Sequence, residues 1–283
     1  MVIRLIYLSI IILAGCNKSY SLPIDFTILH SSSVWGETEP CGWPKNPLGG
    51  LARKASVIDK ERLNNNRLIV VDSGDLFFHK SDMTFEKDNI EAAKIKSEII
   101  VNCNNKMNYN AFTPGSRDFA LGLKYLKKLE SQSNFSYISC NLYDKENRER
   151  LFDPYKIENY DGFKVAYIGA ASSFQKDSIL IREPISEIKK IYNKVSSEAD
   201  FVIVLFNGTK PDMDRLSKSG IGIDLILRSG GSSRASENGG NGTTPIYEAG
   251  NKGKYLNKIN IALSDIDADL IDINLLQKKI KQS

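Results

Sequence analysis

The sequence predicts an α/β fold, with sheets covered by helices. Three observations carry the prediction. Short apolar runs such as Leu68–Val71, Phe201–Phe206 and Ile223–Leu227 have the composition of strands buried on both faces. Between such runs lie stretches with apolar residues at helical spacing, for example Leu51, Ala55 and Ile58, or Ile95 and Ile99. Strand-like and helix-like segments alternate in both halves of the chain, which is the order of sheets packed under helices.

Taken in order, Ile24–His30 reads as a first strand and Leu48–Leu63 as a helix. Leu68–Val71 is a buried strand, and Phe85–Met107 carries helical periodicity. Ala111–Thr113 is a strand stopped by Pro114-Gly115, and Phe119–Leu129 is helical. Phe135–Ser139, Tyr155–Glu158 and Phe163–Ile168 read as strands. Pro184–Val195 suits a helix with proline in its first turn. Phe201–Phe206 and Ile223–Leu227 are buried strands, and Arg228–Thr244 is a loop rich in Gly, Ser and Asn. Pro245–Ala249 and Tyr255–Leu263 return to strands, and Ile266–Leu276 is expected to add an edge strand.

A chain of 283 residues can build a large core without disulfides. The net charge of +4 is mild and its Lys and Arg are interspersed with Asp and Glu, so no nucleic-acid polymer is expected as a partner. At the N-terminus, Arg4 precedes the apolar run Leu5–Ala14, too short to span a bilayer but shaped like an export signal. Leu13-Ala14-Gly15-Cys16 resembles the lipobox of bacterial lipoproteins, which implies cleavage before Cys16 and lipid on its thiol. The expected organisation is a signal peptide over 1–15, a tether over 16–23 and one domain over 24–283. Cys41, Cys103 and Cys140 then remain, with spacing that matches no zinc or CxxC motif. Cys103 and Cys140 are expected to be buried free thiols.

Five segments end where strands give way to loops. They are Phe26–Gly36, Val70–Phe77, Thr113–Phe119, Val202–Gly208 and Asp224–Ser232. In order and context they resemble the ligand motifs of the calcineurin-like metallophosphoesterases, specifically the 5′-nucleotidase branch. Thr244–Leu256 is similar to a further segment of that family, and the resemblance covers about Asp25 to Leu263, with nothing after it that matches the separate C-terminal domain of 5′-nucleotidases. The resemblance implies a four-layer α/β/β/α metallophosphatase sandwich. In active relatives two cations about 3.5–4 Å apart activate a water for attack on phosphorus.

Carried over residue by residue, the family's ligand positions fall here on Ser33, Trp35, Asp75, Ser116, Arg117, Asn207, Gly230 and Ser232. Of these, Asp75 alone keeps the family's ligand. Asp118 stands where glutamate is usual. An indole and a guanidinium cannot ligate a metal, and the chain's two histidines, His30 and His79, cannot restore a normal donor set. On a strand, His30 is expected to make a core hydrogen bond, and His79 to face solvent. Asp72, Asp75 and Asp118 with Glu37 or Glu39 form the one all-carboxylate alternative, suited to Mg²⁺ or Ca²⁺. Pairing of Arg117 with Asp75 or Asp118 competes with it.

Glu37–Arg53 resembles an insert of exported 5′-nucleotidase-like proteins, with Trp43 in place of that pattern's second cysteine. Gly49 and Gly50 are expected to serve a tight backbone approach, and Arg53 to lie on a solvated helix face.

The expected function is a lipid-anchored bacterial envelope protein, facing the periplasm or the exterior. Its metallophosphoesterase fold has lost most metal ligands and serves binding or structure without catalysis. Partners are then the membrane through Cys16, a small anion or ligand in the former site, and an envelope protein. No resident cofactor is expected. Divalent metal ions belong to the first alternative, a phosphoester or nucleotide hydrolase with an atypical site. A second alternative is a partner-binding module using Trp43 and the proline-rich insert.

Overall fold

A computed structural model describes residues 21–273, apart from 43–44, 46, 84–86, 231–233, 236–243, 267 and 269. Two five-stranded sheets form its centre. The first comprises β1 (Ile24–Ser31), β2 (Leu68–Asp72), β3 (Ala111–Phe112), β4 (Ser136–Tyr137) and β12 (Asn257–Leu263), in the order β12-β1-β2-β3-β4. β1 to β4 are parallel, and β12 closes the edge antiparallel to β1. The second comprises β6 (Tyr155–Tyr160), β7 (Phe163–Ala171), β9 (Phe201–Asn207), β10 (Leu225–Ser229) and β11 (Ile246–Glu248), in the order β11-β10-β9-β7-β6. Here β7, β9, β10 and β11 are parallel and β6 runs against β7. A small pair, β5 (Leu142–Asp144) with β8 (Ile179–Ile181), sits beside them.

Side-chain alternation along the strands builds the layers. On β2, Ile69 and Val71 face Phe163, Val165, Tyr167, Ile203 and Leu205 of the other sheet, so the two sheets share one core. Leu68 and Val70 of the same strand point outward into a second core under α1 (Leu51–Asn64), α2 (Lys87–Lys106) and α3 (Leu123–Ser131). On β9, Ile203 and Leu205 face inward, while Val202, Val204 and Phe206 pack under α4 (Pro184–Val195) and α5 (Lys210–Ser217). The result is the expected α/β/β/α sandwich. No helix among the described residues is long and apolar enough to cross a membrane.

Several boundaries differ from expectation for local reasons. Leu48 is not helical: it pairs with Cys41 through two 2.8 Å backbone hydrogen bonds, and α1 starts at Leu51. Gly49 and Gly50 have φ of 79° and 91°, and a Cβ at Gly49 would lie 2.6 Å from the Gly253 carbonyl oxygen, so both need glycine. Phe119–Leu129 is not one helix. Ser116–Phe119 forms a 3₁₀ turn, and α3 begins after Gly122. None of the described residues of 266–276 is in a strand. Cys41, Cys103 and Cys140 are free; Cys140 is buried, whereas Cys41 and Cys103 are half-buried.

Candidate functional site

Parallel strands in both sheets deliver their carboxyl ends to one edge, where ligands bind in open α/β sheets. The loops after β1 and β2 are laced together by backbone bonds of 2.9 Å from Ser33 N–H to Gly74, Trp35 N–H to Asp75 and Gly36 N–H to Leu76. Ser33, Trp35 and Asp75 all sit at positive φ, 49°, 58° and 56°. Three non-glycine residues in the left-handed region at one spot is a concentration typical of functional sites.

Asp118 holds the loop after β2 from below. Its carboxylate accepts the backbone N–H groups of Asp75 (2.9 Å), Leu76 (2.8 Å), Phe77 (3.0 Å) and Gly115 (2.8 Å). Burial and the neighbouring Asp75 push its pKa well above the ordinary carboxyl range, against the pull of the Gly115 and Phe77 amides. Asp72 is likewise committed, accepting the Ser31 hydroxyl at 2.6 Å and the Gly74 N–H at 2.8 Å. It is fully buried, with its pKa raised by burial to about 6. It is therefore a core acceptor at the end of β2. Asp118 spends all four of its acceptor bonds on backbone amides, and Asp72 accepts one bond on each oxygen, so both carboxylates serve to hold these loops in place.

Asp75 lies above them. Its Oδ1 accepts the Arg117 N–H at 3.0 Å, and its Oδ2 is 3.8 Å from Arg117 Nε. Burial raises its pKa, and the Arg117 amide and guanidinium oppose the shift. The Arg117 guanidinium stacks over the Trp35 ring, 4.3 Å from carbon to centroid. Trp35 Nε1 is buried without a hydrogen-bond partner among the described residues. Gly115 closes the floor: a Cβ there would lie 2.4 Å from Asn207 Cγ and 2.5 Å from Asp75 Oδ1.

The second sheet contributes a neutral hydrogen-bond chain. Asn207 Nδ2 donates to Ser229 Oγ at 3.1 Å, and Ser229 Oγ donates to the Gly74 carbonyl at 3.0 Å. Because that hydroxyl proton is spent, Ser33 Oγ at 2.8 Å must donate to Ser229. Ser229 is a site residue that sequence reasoning did not place; it ends β10 one position before Gly230, so strand register was the only available signal. Gly230 is exposed, with its backbone against the Gly208 carbonyl. Ser116 opens the 3₁₀ turn. Ser232, Trp43 and Cys16 lie outside the described residues.

The expectations for the remaining candidates hold. His30 is fully buried and its Nε2 meets Ser73 Oγ at 2.8 Å. Burial lowers its pKa to about 3, so the ring is neutral. His79 is exposed, and Arg53 lies on the solvent side of α1, donating to the Pro47 carbonyl.

The fold family implies a pair of metal ions here, and the donor set does not fit them. Asp75 is, among the described residues, the one anionic ligand position retained at the site, already engaged with Arg117, and its neighbours are an indole, a guanidinium, an amide and hydroxyls. Among the described residues, no group of three His, Cys, Asp or Glu side chains is arranged to hold a metal ion.

No family model matches the chain. It is similar to the 5′-nucleotidase of Vibrio cholerae, 26% identical over 68% of this chain and 36% of that protein. It is 32% identical to the 5′-nucleotidase of Vibrio parahaemolyticus, over 64% of this chain and 35% of the relative. Among solved structures, the calcineurin-like phosphoesterase YfkN from Bacillus subtilis superposes with a TM-score of 0.71 at 21% identity, covering 87% of each chain. The chain is thus similar in sequence to the N-terminal part of 5′-nucleotidases and shares the metallophosphoesterase fold of its structural neighbours. It spans about a third of the length of the two Vibrio relatives.

Proposed function

We infer that this protein is a non-catalytic member of the family that binds a small anion where its relatives bind metals. It is anchored at the bacterial envelope, in the periplasm or outside the cell, by lipid on Cys16. The observation that carries this reading is the state of Arg117. Its guanidinium is positioned by the Trp35 ring and lies near Asp75, yet makes no hydrogen bond among the described residues. An immobilised guanidinium with unspent donors suits phosphate or carboxylate, with no metal as intermediary. Asn207, Ser33 and Ser229 form a buried hydrogen-bond chain satisfied within the protein, so the anion's charge-assisted contacts rest on Arg117. The export-signal reading of residues 1–15 and the lipobox at Leu13–Cys16 support the anchor.

The test is titration of the purified soluble domain with inorganic phosphate and with nucleoside monophosphates, followed by thermal unfolding. Binding to the native state raises the melting temperature, and Arg117→Ala should abolish the rise. Turnover of nucleotides with added Mn²⁺, Co²⁺ or Ca²⁺, lost in Asp75→Ala, would overturn the reading in favour of an atypical hydrolase. A stable complex with another envelope protein, lost on changing Trp43, together with no response to anions, would favour the partner-binding module instead.

A further inference from the structure

A second concentration of positive charge lies beside the small β5–β8 pair. Its centre is Tyr143, a buried residue of β5. The guanidinium of Arg182 stacks on this ring at 3.8 Å, and that of Arg150 approaches the same ring at 5.3 Å. Both arginines are exposed residues. Two like charges against one aromatic ring repel each other, and the ring's negative face compensates only in part.

The framework beneath is rigid. Asn141 is fully buried and clamps Arg182 by its backbone: the Arg182 N–H donates to the Asn141 carbonyl at 3.0 Å, and Asn141 Nδ2 donates to the Arg182 carbonyl at 2.9 Å. The same Asn141 side chain bonds both backbone groups of Ala171, at 2.7 and 3.0 Å. Arg150 is fixed through Nε to the Cys140 carbonyl at 3.2 Å.

One carboxylate faces the cluster. Glu187 of α4 is 2% exposed, and it receives Lys190 at 2.5 Å, the Tyr143 hydroxyl at 2.9 Å and Arg150 at 3.5 Å. Its single charge is thus shared between two cations, and Arg182 takes no part. Nearby acids are engaged elsewhere: Glu183 with Arg215 and the Ser186 N–H, and Asp144 with the amides of Glu146 and Asn147. Arg182 is left with a fixed backbone, a stacked guanidinium and no hydrogen bond from that guanidinium among the described residues.

We propose that Arg182 and Arg150, held on Tyr143, form a second oxyanion site that takes a phosphate group, independent of the Arg117 site. Stacking leaves the edges of the Arg182 guanidinium free, and such an edge is what a phosphate oxygen pair engages. Arg150 spends Nε and Nη2 on Cys140 and Glu187 and contributes Nη1 and its charge. Glu187 acts as a buried counter-charge that holds Arg150 in place without neutralising Arg182. The phosphate is carried either by a free ion or by a lipid headgroup, and the chemistry of recognition is the same.

The experiment observes arginine Nε–H resonances by NMR while the purified protein is titrated with inorganic phosphate, against sodium chloride at equal ionic strength. The Arg182 signal should shift saturably with phosphate and not with chloride. Arg182→Met should weaken this binding at least about tenfold, the loss of a charge-assisted pair, and Arg182→Lys should retain part of it. Arg117→Met should leave the Arg182 response unchanged, which separates this site from the one proposed above. A response to phosphatidylglycerol vesicles but not to free phosphate would assign the same site to headgroups. Equal shifts with chloride, no response to either phosphate source, or affinity untouched by Arg182→Met would overturn the proposal.

Discussion

The guanidinium carbon of Arg117 lies 4.3 Å from the centre of the Trp35 ring, with Nε 3.8 Å from the retained Asp75. Two residues that cannot ligate a metal thus support each other beside the one residue that can. A fixed organic cation stands near Asp75 where the family places metal cations. The Coulombic reason to keep an acid there survives the loss of the metal chemistry.

Metal content follows from that donor set. Purified protein is expected to carry well under two equivalents of transition metal, and a chelator should leave its melting temperature unchanged. A ligand that binds only the native state stabilises it by RT ln(1 + [L]/Kd), so titration with Mn²⁺ or Co²⁺ should leave the melting temperature unchanged. Elemental analysis showing close to two equivalents would contradict this expectation.

Asp118 should matter more to stability than any other acid at the site. Its two oxygens accept four backbone N–H groups and so fix the loop that carries Asp75. Asparagine keeps one acceptor oxygen and turns an amide toward the stranded donors. Each buried group left unmade costs about 1–3 kcal/mol and two donors are stranded, so Asp118→Asn is expected to lose at least about 2 kcal/mol in urea unfolding. A loss below about 1 kcal/mol would mean that the loop holds its shape without this carboxylate.

Much of this architecture was legible because it rests on local pattern. Leu68–Val71 and Phe201–Phe206 announce buried strands by composition, and Pro184–Val195 is a helix from end to end. The short pieces were not legible. Leu142–Asp144 and Ile179–Ile181 are strands only because each has the other, and Lys210–Ser217 is a largely polar helix capped by the Thr209 side chain. Non-local pairing leaves no trace in a three-residue window. At the site, the eroded ligand positions could be read from motif order. The role of Ser229 could not, since it depends on β10 delivering that hydroxyl to Ser33 across 196 residues of sequence.

Two buried groups should pull the pH profile in opposite directions. The folded pKa of Asp72 is raised to about 6 from 3.8, so its favourable contribution is full below the unfolded value and is lost as pH rises through 6. His30 is lowered to about 3 from 6.5, so its contribution is present above 6.5 and is lost as pH falls toward 3. The wild-type curve is therefore flattened between these values. Removing one titration exposes the other. Asp72→Asn should show a steeper loss of stability on acidification than wild type, the gap between the curves changing by about 2–3 kcal/mol from pH 7 to pH 4. Urea unfolding at each pH measures this gap, and parallel curves would show that Asp72 does not titrate in this range.

Substitution of Asp75 separates the two readings of the site, because they predict opposite signs. If the site takes an anion on Arg117, the Asp75 carboxylate repels that anion and competes for the guanidinium. Two unit charges about 4 Å apart interact by roughly 1 kcal/mol in bulk water and roughly 4 kcal/mol near a protein surface. Asp75→Asn should then raise phosphate affinity about tenfold, because the amide is neutral and can still receive the Arg117 N–H through its oxygen. If instead Asp75 holds a metal that activates water, the same change removes that carboxylate ligand, and phosphate affinity and turnover fall together. Calorimetric titration of both proteins with phosphate, with and without Mn²⁺, reads the sign directly. Tighter metal-independent binding in the asparagine variant supports the anion site, and weaker binding confined to the Mn²⁺ series refutes it.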